Sequence, residues 1–80
     1  MQGREEIKGW VQTALKELGG RARIVAICER VWQDHKDDIE AQRSLFFQWQ
    51  YEIRWAGDLL RRDGVLRPAK LSPRGVWELS

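Results

Sequence analysis

Apolar residues recur at helical spacing in three stretches of the chain, which predicts three amphipathic helices. The apolar residues of the first stretch are Ile7, Val11, Ala14 and Leu18. Their intervals of three and four residues place them on one face of a helix over residues 4–18. Gly19 and Gly20 follow directly, and they are expected to end this helix because glycine readily adopts the left-handed backbone of helix ends.

The second and third stretches have the same spacing. The second contains Ile24, Ile27, Cys28, Val31 and His35, and the third contains Leu45, Trp49, Ile53, Ala56 and Leu60. These patterns predict helices over residues 25–36 and 45–63. Residues 37–44 are interpreted as a loop because they begin with an acidic run. Asp37 and Glu40 also have the spacing of a capping box, which would start the third helix at that point instead.

The third helix is followed by a pattern of short strands. Gly64 can adopt the left-handed backbone that ends helices, and Val65 beyond it is expected to touch Leu60. Residues 65–79 contain two runs of β-forming side chains around a Ser72-Pro73 turn signal, which predicts a hairpin.

Alternation within the predicted strands indicates how they pack. Trp77 and Leu79 share one side of the second hairpin strand and are expected to close over the third helix. Residues 21–24 also alternate between polar and apolar side chains, so they are predicted to add a short third, edge strand to the hairpin. The predicted fold is mainly α with a small β-hairpin, a winged helix-turn-helix in a single domain spanning residues 1–80.

The last third of the chain resembles the winged-helix domain at the N-terminus of Mrr-type restriction endonucleases and, more loosely, the wider HARE-HTH group of winged helices. The resemblance is carried by Trp55-Ala56, Leu59-Leu60, Gly64-Val65-Leu66 and the ending RGVWELS, Arg74 to Ser80. It departs from the family at Tyr51-Glu52, where a polar residue followed by Arg is usual. The resemblance implies a DNA-binding module of a modification-dependent restriction system, with any nuclease in a separate, covalently linked domain.

Composition limits the classes of function. Eighty residues are enough for one domain with a modest core. The chain contains no run of about eighteen apolar residues, which a membrane span would need. The N-terminus lacks the apolar core of a secretory signal. The single Cys28 cannot form an internal disulfide, which favours a reducing, cytoplasmic setting.

Charge is distributed unevenly along the chain. Residues 1–40 carry seven Lys and Arg against eight Asp and Glu, whereas residues 41–80 carry seven against four. The predicted third helix and hairpin therefore lie in the basic half, which indicates an anionic partner for that half. A solvated charged surface is the alternative explanation.

Double-stranded DNA is the predicted partner. In winged helix-turn-helix proteins the third helix can enter the major groove while the wing contacts the backbone or the minor groove. The predicted base-reading residues are Gln48, Gln50, Tyr51 and Arg54, and the predicted phosphate contacts are Arg61, Arg62, Arg67, Lys70 and Arg74.

The main alternative is a protein-interaction or dimerisation module that uses the same helix face. Exposed Phe47, Tyr51 and Trp55 would suit a protein surface as well as DNA. A positive surface over the third helix and the hairpin would favour DNA, whereas an apolar patch there would favour a protein.

No catalytic site, cofactor or metal is predicted. One His and one Cys, both on apolar stripes, form no acid–base or nucleophile pair, and there is no Gly-rich phosphate loop. The segment from Asp34 to Glu40 matches neither a calcium loop nor a zinc site, so a solvated acidic turn is expected there. An aromatic cage for a modified base is not predicted either, because Trp49 and Trp77 are assigned to the core and only Trp55, at the margin, remains as a candidate.

Overall fold

The computed structural model describes residues 4–80; residues 1–3, which the predicted domain includes, lie outside the described residues. Its elements are α1 (Arg4–Glu17), β1 (Arg21–Arg23), α2 (Ile24–Ala41), α3 (Arg43–Arg62) and β2 (Val76–Glu78), with one turn of 3₁₀ helix at Ala69–Leu71. Within this part of the chain the fold is mainly helical with a small two-stranded antiparallel sheet, which confirms the predicted fold class at that level.

The first helix follows its predicted pattern. Ile7, Val11 and Ala14 are buried in the core. Gly19 and Gly20 have φ angles of +94° and +88°, and the Gly20 N–H donates a 2.7 Å hydrogen bond to the carbonyl of Leu15. A left-handed glycine pair therefore ends α1, because only this conformation turns the chain back onto the last helical carbonyls.

The predicted loop over residues 37–44 is wrong. α2 begins at Ile24, bends at His35, where φ is −129° and ψ is 18°, and continues to Ala41. α3 then begins at Arg43 instead of residue 45, so only Gln42 separates the two helices. The acidic side chains of this segment are exposed, while Ile39 is fully buried. A single apolar residue in a polar run has no visible period, which is why the sequence pattern missed this helical segment.

The bend in α2 coincides with an aromatic contact. The His35 ring stacks on Trp10 of α1 with ring centroids 4.1 Å apart and planes 9° from parallel. The same ring lies 3.7 Å from the Asp38 carboxylate through Nδ1. His35 is thus a packing residue at the junction of α1 and α2, as its place on an apolar stripe predicted.

The predicted core face of α3 is confirmed. Leu45, Ile53, Ala56 and Leu60 are buried, and Trp49 packs partly buried against them. Gly64 has a φ of +80°. The N–H groups of the next two residues both donate to the Leu60 carbonyl, at 2.9 and 3.2 Å, so the predicted approach of Val65 to Leu60 is made through the backbone.

The sheet differs from the predicted hairpin over residues 65–79. β2 pairs with β1, with Arg21 opposite Glu78 and Arg23 opposite Val76. The first predicted hairpin strand is reduced to a bridge between Leu66 and Leu79. Pro68 has no N–H to continue that ladder, and the 3₁₀ turn follows at once. β1, which was predicted as an additional edge strand, is therefore one of the two strands of the sheet. β2 lies between β1 and residues 65–67.

Trp77 attaches the sheet to the helices. Its side chain is only 4% exposed, and its ring lies where a Cβ on Gly57 of α3 would stand, 2.4 Å from the nearest ring carbon. Gly57 is buried as well. The absence of a side chain at Gly57 is what lets the indole reach the helix backbone, and it confirms the prediction that Trp77 closes over α3.

One charged contact joins the first half of α1 to the C-terminal end of α3. The Lys8 ammonium donates a 2.9 Å hydrogen bond to the Asp63 carboxylate. This bond and the nearby positive charge lower the pKa of Asp63 below its ordinary value of 3.8. The same bond raises the pKa of Lys8. Both groups are therefore held in their charged forms in the folded protein.

We expect the Lys8–Asp63 bond to contribute to acid sensitivity. Because the folded-state pKa of Asp63 is lowered, its contribution to stability is complete above the ordinary pKa of an aspartate, about 3.9, and disappears as the pH falls through the lowered value. In urea unfolding, the free energy of unfolding of the Asp63→Asn variant should therefore decrease less at low pH than that of the unmodified chain. Asp58→Asn, an exposed carboxylate on the same helix, is the matched control. Equal pH profiles for the two variants would contradict the prediction.

None of the helices within residues 4–80 is both long enough and apolar enough to cross a lipid bilayer.

Candidate functional site

Five exposed basic side chains surround the small sheet. They come from β1 and from the connection between α3 and β2, and we call them the basic cluster: Arg21, Arg23, Arg67, Lys70 and Arg74. Three of the five were predicted from the sequence; Arg21 and Arg23 were not. The sequence feature that could have identified these two arginines is the alternation over residues 21–24, which places both of them on one side of the strand and Ala22 on the other.

Backbone pairing brings the parts of the basic cluster together. Arg21 is opposite Glu78 across the strand pair, and the N–H of Arg67 donates to the carbonyl of Glu78 from the other edge, at 2.9 Å. The N–H of Ile24, next to Arg23, donates to the carbonyl of Gly75, next to Arg74, at 3.0 Å. Segments that are more than 40 residues apart in sequence thus form one surface.

Only Glu78 offsets this charge within the sheet. Its carboxylate lies 3.6 Å from Arg67. Within the described residues, no carboxylate lies in ion-pair range of the other four members of the basic cluster. The surface therefore keeps an excess of positive charge, as an anion-binding surface requires.

The predicted contact residues on α3 fall into two groups. Gln48, Gln50, Tyr51, Arg54 and Arg62 are exposed. Arg61 is different, because its guanidinium carbon lies 6.0 Å from the centre of the Trp77 ring. Its Nε is buried and has no hydrogen-bond partner among the described residues. Arg61 therefore packs between α3 and the sheet, where its charge lies over an aromatic face.

Aromatic side chains occupy much of the outer face of α3. Phe47 is 74% exposed and Tyr51 59% exposed, and Trp55 continues the same stripe one turn later. Tyr51 and Trp55 make an edge contact with ring centroids 6.5 Å apart. Exposed apolar side chains arranged together usually mark a binding surface. The outer face of α3 thus carries an aromatic stripe formed by Phe47, Tyr51 and Trp55.

A groove of about 520 Å³ lies between α2 and α3. Its lining consists of Ile24, Val25, Cys28, Glu29, Trp32, Phe46, Trp49, Gln50 and Arg54. Trp32 and Trp49 stack with ring centroids 5.4 Å apart. The groove combines an apolar lining with a few polar groups, which is typical of binding sites. The groove was not predicted from the sequence, because the period of each helix identifies its buried face but not the width of the gap between two helices.

The Cys28 thiol in this groove is not set up as a nucleophile. Burial raises the pKa of Cys28, and the nearby positive charge of Arg54 opposes that effect only in part. A reactive cysteine needs a lowered pKa because the thiolate is the nucleophile. Cys28 is half-buried against the core, as the apolar stripe predicted.

The acidic segment around residues 34–40 does not form a metal site in the described structure. No group of three or more His, Cys, Asp or Glu side chains within residues 4–80 is arranged to hold a metal ion. The helical geometry of residues 36–41 spreads these carboxylates around the helix surface, since successive residues are rotated by about 100°.

Comparison of the chain with protein-family models, with curated proteins and with solved structures gives no match. The resemblance of the last third of the chain to Mrr-type N-terminal domains therefore stays a prediction.

Proposed function

We propose that this chain is a winged helix-turn-helix module that binds double-stranded DNA through the basic cluster and the exposed face of α3. The order of α1, β1, α2, α3 and the C-terminal strand is that of a winged helix, with residues 65–79 as the wing. The observation that carries the proposal is the basic cluster, in which arginines of β1 are added to those of the wing. Phosphate contacts of this kind position a protein on DNA and supply most of its affinity.

The α3 side chains would read the duplex. Gln48, Gln50 and Arg54 present amide and guanidinium groups, which can pair with adenine and guanine edges in the major groove. Exposed Tyr51 would read bases with them, and exposed Arg62 would contact the phosphate backbone. Arg61, packed on Trp77, would act mainly by fixing the wing relative to α3. By the resemblance, the module would target a restriction or regulatory protein to its site.

A protein-interaction module is the second candidate function. It is favoured by the aromatic stripe, in which Phe47 is 74% and Tyr51 59% exposed. A macromolecular partner would bury them, and aromatic residues are enriched in such interfaces.

Fluorescence anisotropy with a labelled duplex of about 20 base pairs tests the DNA proposal. We expect binding that weakens with salt, with a logarithmic slope that corresponds to roughly three to six phosphates. The Arg67/Lys70/Arg74 triple-alanine variant should lower the magnitude of that slope by about three and the Arg21/Arg23 double-alanine variant by about two.

Lys36→Ala is the control for loss of charge. Lys36 is exposed and lies twelve residues along α2 from the end that meets the sheet, so its removal should leave the slope nearly unchanged. Absence of binding to unmodified duplex at low salt would exclude the proposal for that ligand. One titration with methylated duplex would then decide between modified DNA and a protein partner.

A further inference from the structure

The groove between α2 and α3 has walls that project apolar side chains into solvent. Val25 on α2 is 67% exposed and Phe46 on α3 is 41% exposed, and both line the groove. The stacked Trp32 and Trp49 lie in the lining between them. The same surface thus carries both projecting apolar side chains and an apolar recess. In a dimer, the projecting side chains of each copy can enter the recess of the other.

The charges of the groove have opposite signs on its two walls. Glu29 lies on the α2 wall and Arg54 on the α3 wall. Neither forms an ion pair within the described residues. A partner helix with a single sign of charge would be attracted by one wall and repelled by the other. A second copy of the surface, related by a two-fold axis, places a negative charge opposite the positive wall and a positive charge opposite the negative wall.

We propose that the groove is a homodimer interface in which Glu29 of each copy pairs with Arg54 of the other while Val25 and Phe46 enter the partner's groove. In a two-fold dimer each such contact is made twice, so one pair of residues contributes at two places. None of the five residues of the basic cluster is part of the groove lining. The inference does not rest on the proposed DNA binding, and it assigns Gln50 and Arg54, two of the proposed base-reading residues, to the contact with the second copy.

Charge reversal tests the pairing. Glu29→Arg alone places two positive charges opposite each other, and Arg54→Glu alone places two negative charges opposite each other. We expect each variant to lower the self-association constant at least about tenfold. Sedimentation equilibrium between about 10 µM and about 1 mM covers the range of a moderate homodimer. Circular dichroism of each variant establishes that the helices are retained.

Mixing the two variants gives the decisive result. A heterodimer of Glu29→Arg with Arg54→Glu restores opposite charges at both contacts, so equimolar mixing should recover association to within about threefold of the unmodified chain. A misfolded variant could not produce this recovery. Glu40→Arg and Arg43→Glu make the same changes of charge at exposed positions outside the groove lining, and they should associate as the unmodified chain does.

Three outcomes would overturn the proposal. The first is a monomer over the whole concentration range. The second is a dimer that neither charge reversal weakens, which would place the interface elsewhere. The third is weakening by the single variants without recovery on mixing, which would exclude the Glu29–Arg54 pairing.

Discussion

Replacing Ile39 with alanine is expected to destabilise the domain by about 2–5 kcal/mol, the usual cost of truncating a buried isoleucine. The side chain is 0% exposed. It borders a small internal space with Ile7, Trp10, Leu45 and other core residues. The lost contacts belong to three helices, so the space left behind cannot close by a local shift. For a domain of this size, whose total stability is about 4–12 kcal/mol, such a loss is a large fraction.

Chemical denaturation followed by far-UV circular dichroism measures this effect. Glu40→Ala is the matched control, because Glu40 is the next residue and its side chain is exposed; its change should stay within about 0.5 kcal/mol. If Ile39→Ala were equally mild, residues 36–41 would be the solvated loop that the sequence pattern predicted and not a packed helical segment.

Gly57→Ala is expected to destabilise the domain by about 1–3 kcal/mol, the usual range for an overpacked site. The added Cβ would lie 2.4 and 2.5 Å from two ring carbons of Trp77, which is too close for any real contact. Since the indole is buried and Arg61 lies over it, the ring has no free space to enter. The clash must move β2 away from α3, and it outweighs the gain of up to about 1 kcal/mol that alanine brings to a helix.

Gly9→Ala is the control that separates these two effects. Gly9 also lies within a helix, and a Cβ built on it would meet nothing within 4 Å. Alanine should therefore stabilise the domain there by roughly 0.5–1 kcal/mol. Opposite signs for the two Gly→Ala variants in thermal unfolding would support the close contact of Trp77 with α3. A stabilising effect at both positions would contradict it.

The two proposals overlap on one part of α3 and differ elsewhere. The basic cluster lies on the sheet and the wing, whereas the groove lies between α2 and α3. Gln50 and Arg54 belong to both proposals, because they line the groove and are also proposed base-reading residues on α3. The DNA titration depends mainly on the basic cluster, and the charge-reversal experiment depends only on Glu29 and Arg54. Failure of one proposal would therefore leave the other testable.

Local chemistry in the sequence predicted much of the fold. The apolar spacing of Ile53, Ala56 and Leu60 identified the core face of α3. Gly19 and Gly64 marked the ends of two helices, and alternation placed Trp77 toward the core. These features are readable because helical and strand periods, and the left-handed preference of glycine, act over only a few residues. Six of the nine predicted contact positions lie on α3, and five of those six are exposed.

Tertiary structure decided the rest. Nothing local selects Arg21–Arg23 as the strand partner of β2, because pairing depends on which backbone reaches the free edge after the helices have packed. That choice brought Arg21 and Arg23 into the basic cluster. The acidic stretch around Ile39 is helical because burying the Ile39 side chain among three helices outweighs the polarity of its neighbours. The width of the groove was set by how α2 and α3 pack together. The sequence by itself therefore determined the number of helices, the glycine ends of α1 and α3 and most of the buried faces. Contacts between distant segments determined the α2–α3 junction and the surfaces on which binding is proposed.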